Sequence, residues 1–339
     1  MNFELDEDTI LLRDSVRDLG KQKAEAVRGW ESARSLPGEW ISELEEMGLL
    51  AMRVPEDDGG AGLSILAALA VLQELGAFCA STAVTVAVHN MIGLGLGAAP
   101  DEGGLLGLVR GVEATACAEG FVLQGVDRVA IGASTAPRLA VVASVQGAPM
   151  PMLVSRTDAM SGTRSRTLGL RATDIGSLSL DGVGAVALAG ELSTSQTDLR
   201  LALGFIAAGI GRAALAEGTA YALERQQFGK PIAKFQAIQW KLADLATGLD
   251  AAELMLGLAA ARTDADRPAA AARATLAAVQ AVTLGCSEML QIHGGYGYTE
   301  EYAIERLYRD AKAVALYAGV RSEARATVAD GILARFAAE

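Results

Sequence analysis

Two loops carry residues able to hold a phosphorylated, aromatic ligand. The first, RQQFGKPIAKFQ, runs from Arg225 to Gln236, and the second, QIHGGYGYTEE, from Gln291 to Glu301. Arg225 offers a planar fork of donors that matches phosphate oxygens, and Phe228 an apolar face for a flat heterocycle. Gln227, Gln236 and Gln291 add neutral amides that donate and accept, while Gly294 and Gly295 would let a ligand approach the backbone closely. Together these seven residues could hold a dinucleotide. Each also has an ordinary reading: a surface ion pair for the arginine, a helix-joining turn for the glycine pair, core packing for the phenylalanine.

Other chemistries lack raw material. His89 and His293 are the only histidines, which leaves a multi-histidine metal site and most histidine acid–base schemes unsupplied. Cys79, Cys117 and Cys286 are odd in number, far apart and without metal spacing, and read as small core residues in a reducing compartment. No metal site is expected. His89-Asn90 falls in an apolar helical stretch where a buried histidine satisfied by a neighbour is the ordinary explanation. Lys and Arg number 29 against 41 Asp and Glu, a net charge of −12 that repels phosphate backbones and argues against nucleic-acid binding.

The elements that must position these loops are mostly helical. Hydrophobic residues make up 51% of the 339 but aromatics only 5%, and the apolar share is chiefly Ala and Leu, which favour helices over strands. Three textures divide the chain, predicting a helical domain over 1–112, a small β-domain over 113–194 and a helical bundle over 195–339. In the first, Leu12, Val16 and Leu19 recur at helical spacing behind an acidic Asp6–Asp8 start, and RVPEDDGGAGL, Arg53 to Leu63, breaks the pattern as a loop. The middle runs FVLQGVDRVAI, LAVVASV, MLVS and SLSLDGV are of strand length, with Gly125 placed for a tight turn. In the third, Leu242, Leu245, Leu249, Ala252 and Leu256 form the seam of a packed helix.

The stretch from Leu75 to Pro100 has no charge, yet Ser81, Thr82, Thr85, His89, Asn90 and several glycines fit a buried helix pair better than a bilayer span. The start MNFELDEDT lacks the basic and apolar segments of a signal peptide. A soluble cytoplasmic protein without a membrane partner is expected.

The order helix, β, helix, with VPEDDGGAGLS, ERQQFGKPIAKFQ, QIHGGYGYTEEYAIERLYRDAK and a following Tyr-x-Gly, resembles the acyl-CoA dehydrogenase family over nearly the whole chain. The resemblance implies a mainly α (α+β) fold: an N-terminal helical domain, a small middle β-barrel or sandwich, and a C-terminal four-helix bundle. It implies FAD as cofactor, α,β-dehydrogenation of a CoA thioester by a glutamate base, and electron-transfer flavoprotein as acceptor. In the family, the β-domain and post-bundle loop of one subunit hold the flavin ring, while the neighbour's two loops hold the adenine and pyrophosphate. Arg225, Gln227, Phe228, Gln236, Gln291, Gly294 and Gly295 match that neighbour's half.

The ring half does not match. Where the family has a Thr-Glu-Pro…Gly-Ser loop over the flavin, this chain has Cys117-Ala118-Glu119-Gly120, and the loop is expected to be deleted. Ile131 and Gly132 stand where the family places flavin-facing Thr or Ser and Asn. The Tyr-Glu-Gly-Thr that commonly carries the base reads Tyr317-Ala318-Gly319-Val320, so Ala318 replaces the glutamate, and Leu199–Leu203, the minority position, holds no acid. The resemblance therefore points to the degenerate subunit of an α₂β₂ heterotetramer, paired with a paralogous catalytic subunit that holds most of the acyl-CoA site. Two alternatives stand beside it: a self-sufficient dehydrogenase with a relocated base such as Glu217 or Glu119, and a redox-inactive scaffold.

Overall fold

The computed structural model describes residues 6–99, 104–317 and 322–337. It opens with α1 (Glu7–Ala33), whose N-terminus is capped by Asp6 accepting from the Thr9 N–H at 2.7 Å. Val16 is fully buried with Leu12 and Leu19 packed beside it, the expected face. α2 (Gly38–Glu46), α3 (Ile65–Phe78) and α4 (Ala80–Ala87) follow, the last running into a π-helical turn at Val88–Gly93. The buried helix pair expected across the charge-free stretch is α3 and α4, divided at Cys79.

His89 and Asn90 lie in that π turn and are structural. Asn90 donates to the Leu49 and Val86 carbonyls at 3.0 and 3.1 Å and accepts the Met52 N–H at 2.9 Å. His89 Nδ1 accepts the Leu106 N–H at 3.0 Å, tying the helices to the first strand.

The middle region is a six-stranded sheet ordered β2-β1-β3-β4-β6-β5, built from β1 (Leu106–Cys117), β2 (Gly120–Ile131), β3 (Arg138–Val145), β4 (Ala148–Ser155), β5 (Met160–Arg164) and β6 (Ile175–Ala187). β2 also pairs with β6, folding the sheet back on itself, but β4 meets β6 at only two register pairs. The result is a sheet rather than a clearly closed barrel. The boundary drawn at 112/113 falls inside β1, because LGLVRG is apolar enough to read as a continuation of the helices. Gly125 is not a turn: FVLQGVDRVAI is one strand, and Gly125 lies against Val112 where β2 changes register with β6. The tight turn is at Ala118–Glu119, with Cys117 paired to Gly120. Cys79 and Cys286 are buried as expected, but Cys117 sits exposed at that turn.

The third region is a bundle of α5 (Leu192–Glu224), then a two-residue ribbon β7 (Gln226–Gln227) and β8 (Lys230–Pro231), then α6 (Gln236–Ala260), α7 (Arg267–Ile292), α8 (Ile304–Leu316) and α9 (Ser322–Ala337). Leu245, Leu249, Ala252 and Leu256 of α6 are buried along one stripe. Glycines let the helices meet at backbone distance. A Cβ on Gly204 would sit 2.5 Å from Leu256 and one on Gly211 2.6 Å from Leu249, while one on Gly218 would overlap Met289. These positions repeat every seven residues along one side of α5. On its other side, a Cβ on Gly209 would overlap the Gln73 carbonyl of α3. α5 and α7 are long and apolar enough to cross a membrane, and 72% and 61% of their apolar windows are buried inside the protein.

One continuous core links α1–α4 through α5 to α6–α8, with a second core inside the sheet. Asp198 pins the join: this buried carboxylate on α5 receives Arg53 from the RVPEDDGGAGL loop and Arg267 Nη2, at 2.5 Å, from the start of α7. Removing one member of such a set leaves a buried charge unpaired.

Burial pushes the His89 imidazole down to about 4. The unfolded chain takes up a proton near pH ~6.5 that the folded chain refuses, so stability falls as pH drops from there to about 4, by roughly 3 kcal/mol. His89→Gln, whose amide oxygen can still accept from Leu106, should lose less stability than the wild type across that window in denaturant titrations. Parallel curves for the two would contradict this assignment.

Candidate functional site

The first loop begins where α5 stops. Arg225 turns extended, and its N–H still donates to the Tyr221 carbonyl at 2.9 Å. In the ribbon, Gln226 pairs with Pro231 and Gln227 with Lys230, leaving Phe228 and Gly229 at the tip with φ of 53° and 76°. A two-residue hairpin of this kind asks for positive φ at both central residues, which glycine adopts freely and phenylalanine does not. Such a backbone costs about 1–3 kcal/mol. Phe228 is nonetheless 92% exposed, meeting only the edge of Phe235 at 6.1 Å between centroids. Gln236, the first residue of α6, is exposed beside it.

The second loop begins where α7 stops. His293 is buried against Tyr221, with ring centroids 4.3 Å apart, and Tyr302 closes on both edge-on at 5.4 and 5.2 Å. This cluster fastens the end of α5 to the end of α7. It places Arg225, one turn past Tyr221, and Gly294, next to His293, at the same end of the bundle. Gly294 needs glycine for its φ of 58°. A Cβ on Gly295 would meet nothing within 4 Å, and its backbone imposes no such demand. Nothing in the chain itself requires Gly295.

All seven residues singled out in the sequence are exposed, and the structure gathers them onto this end. Among the described residues, the side chains of Arg225, Gln227, Gln236 and Gln291 make no hydrogen bond or ion pair within the chain. Other arginines are committed: Arg212 to Asp250 and Glu253, Arg309 to Glu31 and Glu305. The ordinary readings of a structural ion pair and a core phenylalanine do not hold here.

A cavity of about 330 Å³ lies between the sheet and α8. Val129, Leu168, Leu170, Ile175, Leu316 and Tyr317 form its apolar walls, with Arg110 and Lys312 among its lining. α8 fixes the wall: Arg309 donates to the Leu168 carbonyl at 2.9 Å, and Asp310 accepts the Leu170 N–H at 2.7 Å. Complete burial, with Glu31 nearby, lifts the Asp310 carboxyl to about 6. No Asp or Glu lines this cavity among the described residues. Glu119 is in the exposed hairpin turn, and Glu217 faces a different groove beside Glu25 and Arg28. Ala318, Gly319 and Val320 lie outside the described residues.

The flavin-facing positions offer no side-chain partner. Ile131 is buried in the core and Gly132 forms a turn at φ 73°, donating its N–H to the Asp174 carbonyl at 2.7 Å. The Cys117–Gly120 segment is a complete hairpin turn, not a gap. β1 is interrupted instead at Gly111, φ 70°, where it changes register with both β2 and β3. Gly111 follows Arg110 of the cavity lining. A dinucleotide therefore fits the outer loops, which supply a free guanidinium, three free amides, an exposed aromatic and an open glycine. The cavity supplies little polar contact for a flavin ring.

Comparison with known proteins agrees with this architecture. Residues 6–99 match the family profile described as acyl-CoA dehydrogenase, N-terminal domain, and residues 193–333 that described as acyl-CoA dehydrogenase, C-terminal domain. A probable acyl-CoA dehydrogenase of Bacillus subtilis is 30% identical over 383 aligned positions, covering 98% of this chain and 100% of that protein. Butyryl-CoA dehydrogenase from Megasphaera elsdenii superposes with a TM-score of 0.90 at 24% identity, over 98% of this chain and 100% of that one, a likeness of fold. A variant of the steroid acyl-CoA dehydrogenase Tcur3481-Tcur3483 superposes with a TM-score of 0.86 at 26% identity, over 98% and 99%.

The two kinds of glycine separate by substitution. Gly295→Ala should leave the thermal midpoint of this chain within the scatter of the wild type, because the added methyl meets nothing. Gly209→Ala, overlapping the Gln73 carbonyl, should cost about 3 kcal/mol as overpacking. Equal losses at both positions would contradict the distinction.

Proposed function

The chain belongs to the acyl-CoA dehydrogenase family, whose members are FAD-dependent oxidoreductases, and we propose that it acts as the non-catalytic subunit of a heteromeric dehydrogenase. Its paralogous partner would hold the flavin ring, the acyl-CoA and the glutamate base, in an α₂β₂ assembly. The observation that carries this is the split between the two sites. The residues suited to a dinucleotide are exposed and partly strained, and the cavity between the sheet and α8 is apolar and lined by no acid among the described residues.

FAD in the partner's site supplies the hydride acceptor for dehydrogenation of the CoA thioester. This chain would hold the far end of that cofactor. The Arg225 guanidinium suits the pyrophosphate, Phe228 covers a flat ring system, and Gln227, Gln236 and Gln291 offer amides. Gly294 and Gly295 leave the α7 terminus open to close approach. With Ala318 at the usual position of the base, the chain contributes no proton acceptor. The paired name of the steroid acyl-CoA dehydrogenase that superposes on it agrees with a two-chain enzyme. Electron-transfer flavoprotein as acceptor is what the family resemblance implies, and a cytoplasmic location is proposed from the cysteine usage. A relocated base gains no support, since neither Glu119 nor Glu217 lines the cavity.

Arg225→Ala, made in the co-purified complex, should weaken FAD binding about 10–100-fold, the loss of charge-assisted hydrogen bonds to a phosphate. The unfolding of this chain should not change, because the Arg225 side chain has no hydrogen-bond or ion-pair partner among the described residues. FAD affinity unaltered by the substitution, measured by flavin fluorescence, would contradict the assignment.

A further inference from the structure

The cavity beside Tyr317 has features that the cofactor reading leaves unused. Its walls are apolar, and Val129, Leu168 and Leu316, though part of its lining, are 52%, 64% and 71% exposed. In a chain of net charge −12, cations easily find partners, and Arg309 in the same lining has two carboxylates. Arg110 and Lys312 have no carboxylate ion-pair partner among the described residues. Among the described residues Arg110 meets only the Tyr317 ring, its guanidinium carbon 5.7 Å from the centroid, and Lys312 only the Tyr308 ring at 5.6 Å. Asp127 accepts the Arg110 backbone N–H at 2.8 Å, not its guanidinium. Tyr317 is 7% exposed, and its buried hydroxyl has no hydrogen-bond partner among the described residues. Burial raises its pKa, so it stays a neutral phenol able to donate.

We propose that this cavity binds a small apolar carboxylate, its hydrocarbon body against Leu168, Leu170, Ile175 and Leu316 and its charge at Arg110 and Lys312. The volume, about 330 Å³, lies at the small end of ligand sites and suits a compact body rather than a dinucleotide. An apolar wall with a few convergent polar groups is the usual composition of such sites. A carboxylate can pair with either cation, whereas a neutral molecule of the same shape pairs with neither. The inference does not rest on the subunit reading, and the FAD content of the complex can depart from expectation without affecting it.

Calorimetric titration of the full chain, alone or in its complex, tests it with octanoate and octan-1-ol as probes. Octanoate should bind once per chain, at least about tenfold more tightly than octan-1-ol. Arg110→Met with Lys312→Met should abolish that preference while octan-1-ol still binds, which shows the cavity intact. Ala313→Phe, filling the cavity, should block both. Equal affinity for the two probes, octanoate binding that survives the double substitution, or a folded chain that takes up neither probe would overturn the proposal. Displacement of octanoate by riboflavin bound more tightly would overturn it too, by marking the cavity as a working flavin-ring site.

Discussion

Helix α5 touches α3 on one side and α6 and α7 on the other at distances that leave no room for a side chain, and the placement of the two loops depends on this. Gly204, Gly211 and Gly218 keep one side of it bare for Leu256, Leu249 and Met289, and Gly209 admits the α3 backbone. Each glycine in a helix interior costs roughly 1 kcal/mol against alanine, so the close packing must return more than that. Asp198, near the start of the same helix, draws in Arg53 and Arg267 and fixes the loop after α2 against the bundle. At the far end, Tyr221 stacks on His293 and delivers Arg225 and Gly294 to one surface.

What α5 presents at its end is chemically unfinished. Several polar side chains elsewhere are committed within the chain: Trp40 donates to Thr82 at 2.9 Å, Arg156 to three carbonyls, Arg164 to three more. On the loop surface an arginine and three glutamines are left to water, and a phenylalanine is exposed at positive φ. Backbone strain persists where surrounding structure enforces it, and here a two-residue ribbon with little else packed on it does so. The proposed second chain, bringing a ligand to this surface, would give the arrangement a purpose.

The loops were legible as loops because each is a short contiguous run with glycine and polar residues between long helical patterns. The α6 seam was legible from its spacing, and Asp6 announced the start of α1. Gly125 was misread because an isolated glycine in a strand marks either a turn or a register change, and only the pairing of β2 with β6 distinguishes them. β1 was entered late because a short apolar run after a helix does not declare its period. The glycine repeat of α5 was present in the letters but passed unread. The aromatic cluster joins residues from 221 to 302, and the cavity joins residues from 110 to 317, separations over which one sequence carries no signal.

The central claim is that this chain serves a flavin held mainly by another. Its most direct test is the flavin-to-protein ratio, read from visible absorbance, of the chain expressed alone and together with a full-length paralogue carrying an intact glutamate. The account predicts a colourless chain alone and a yellow complex with one FAD per pair of unlike subunits. A yellow oligomer of this chain alone, oxidising an acyl-CoA, would contradict it.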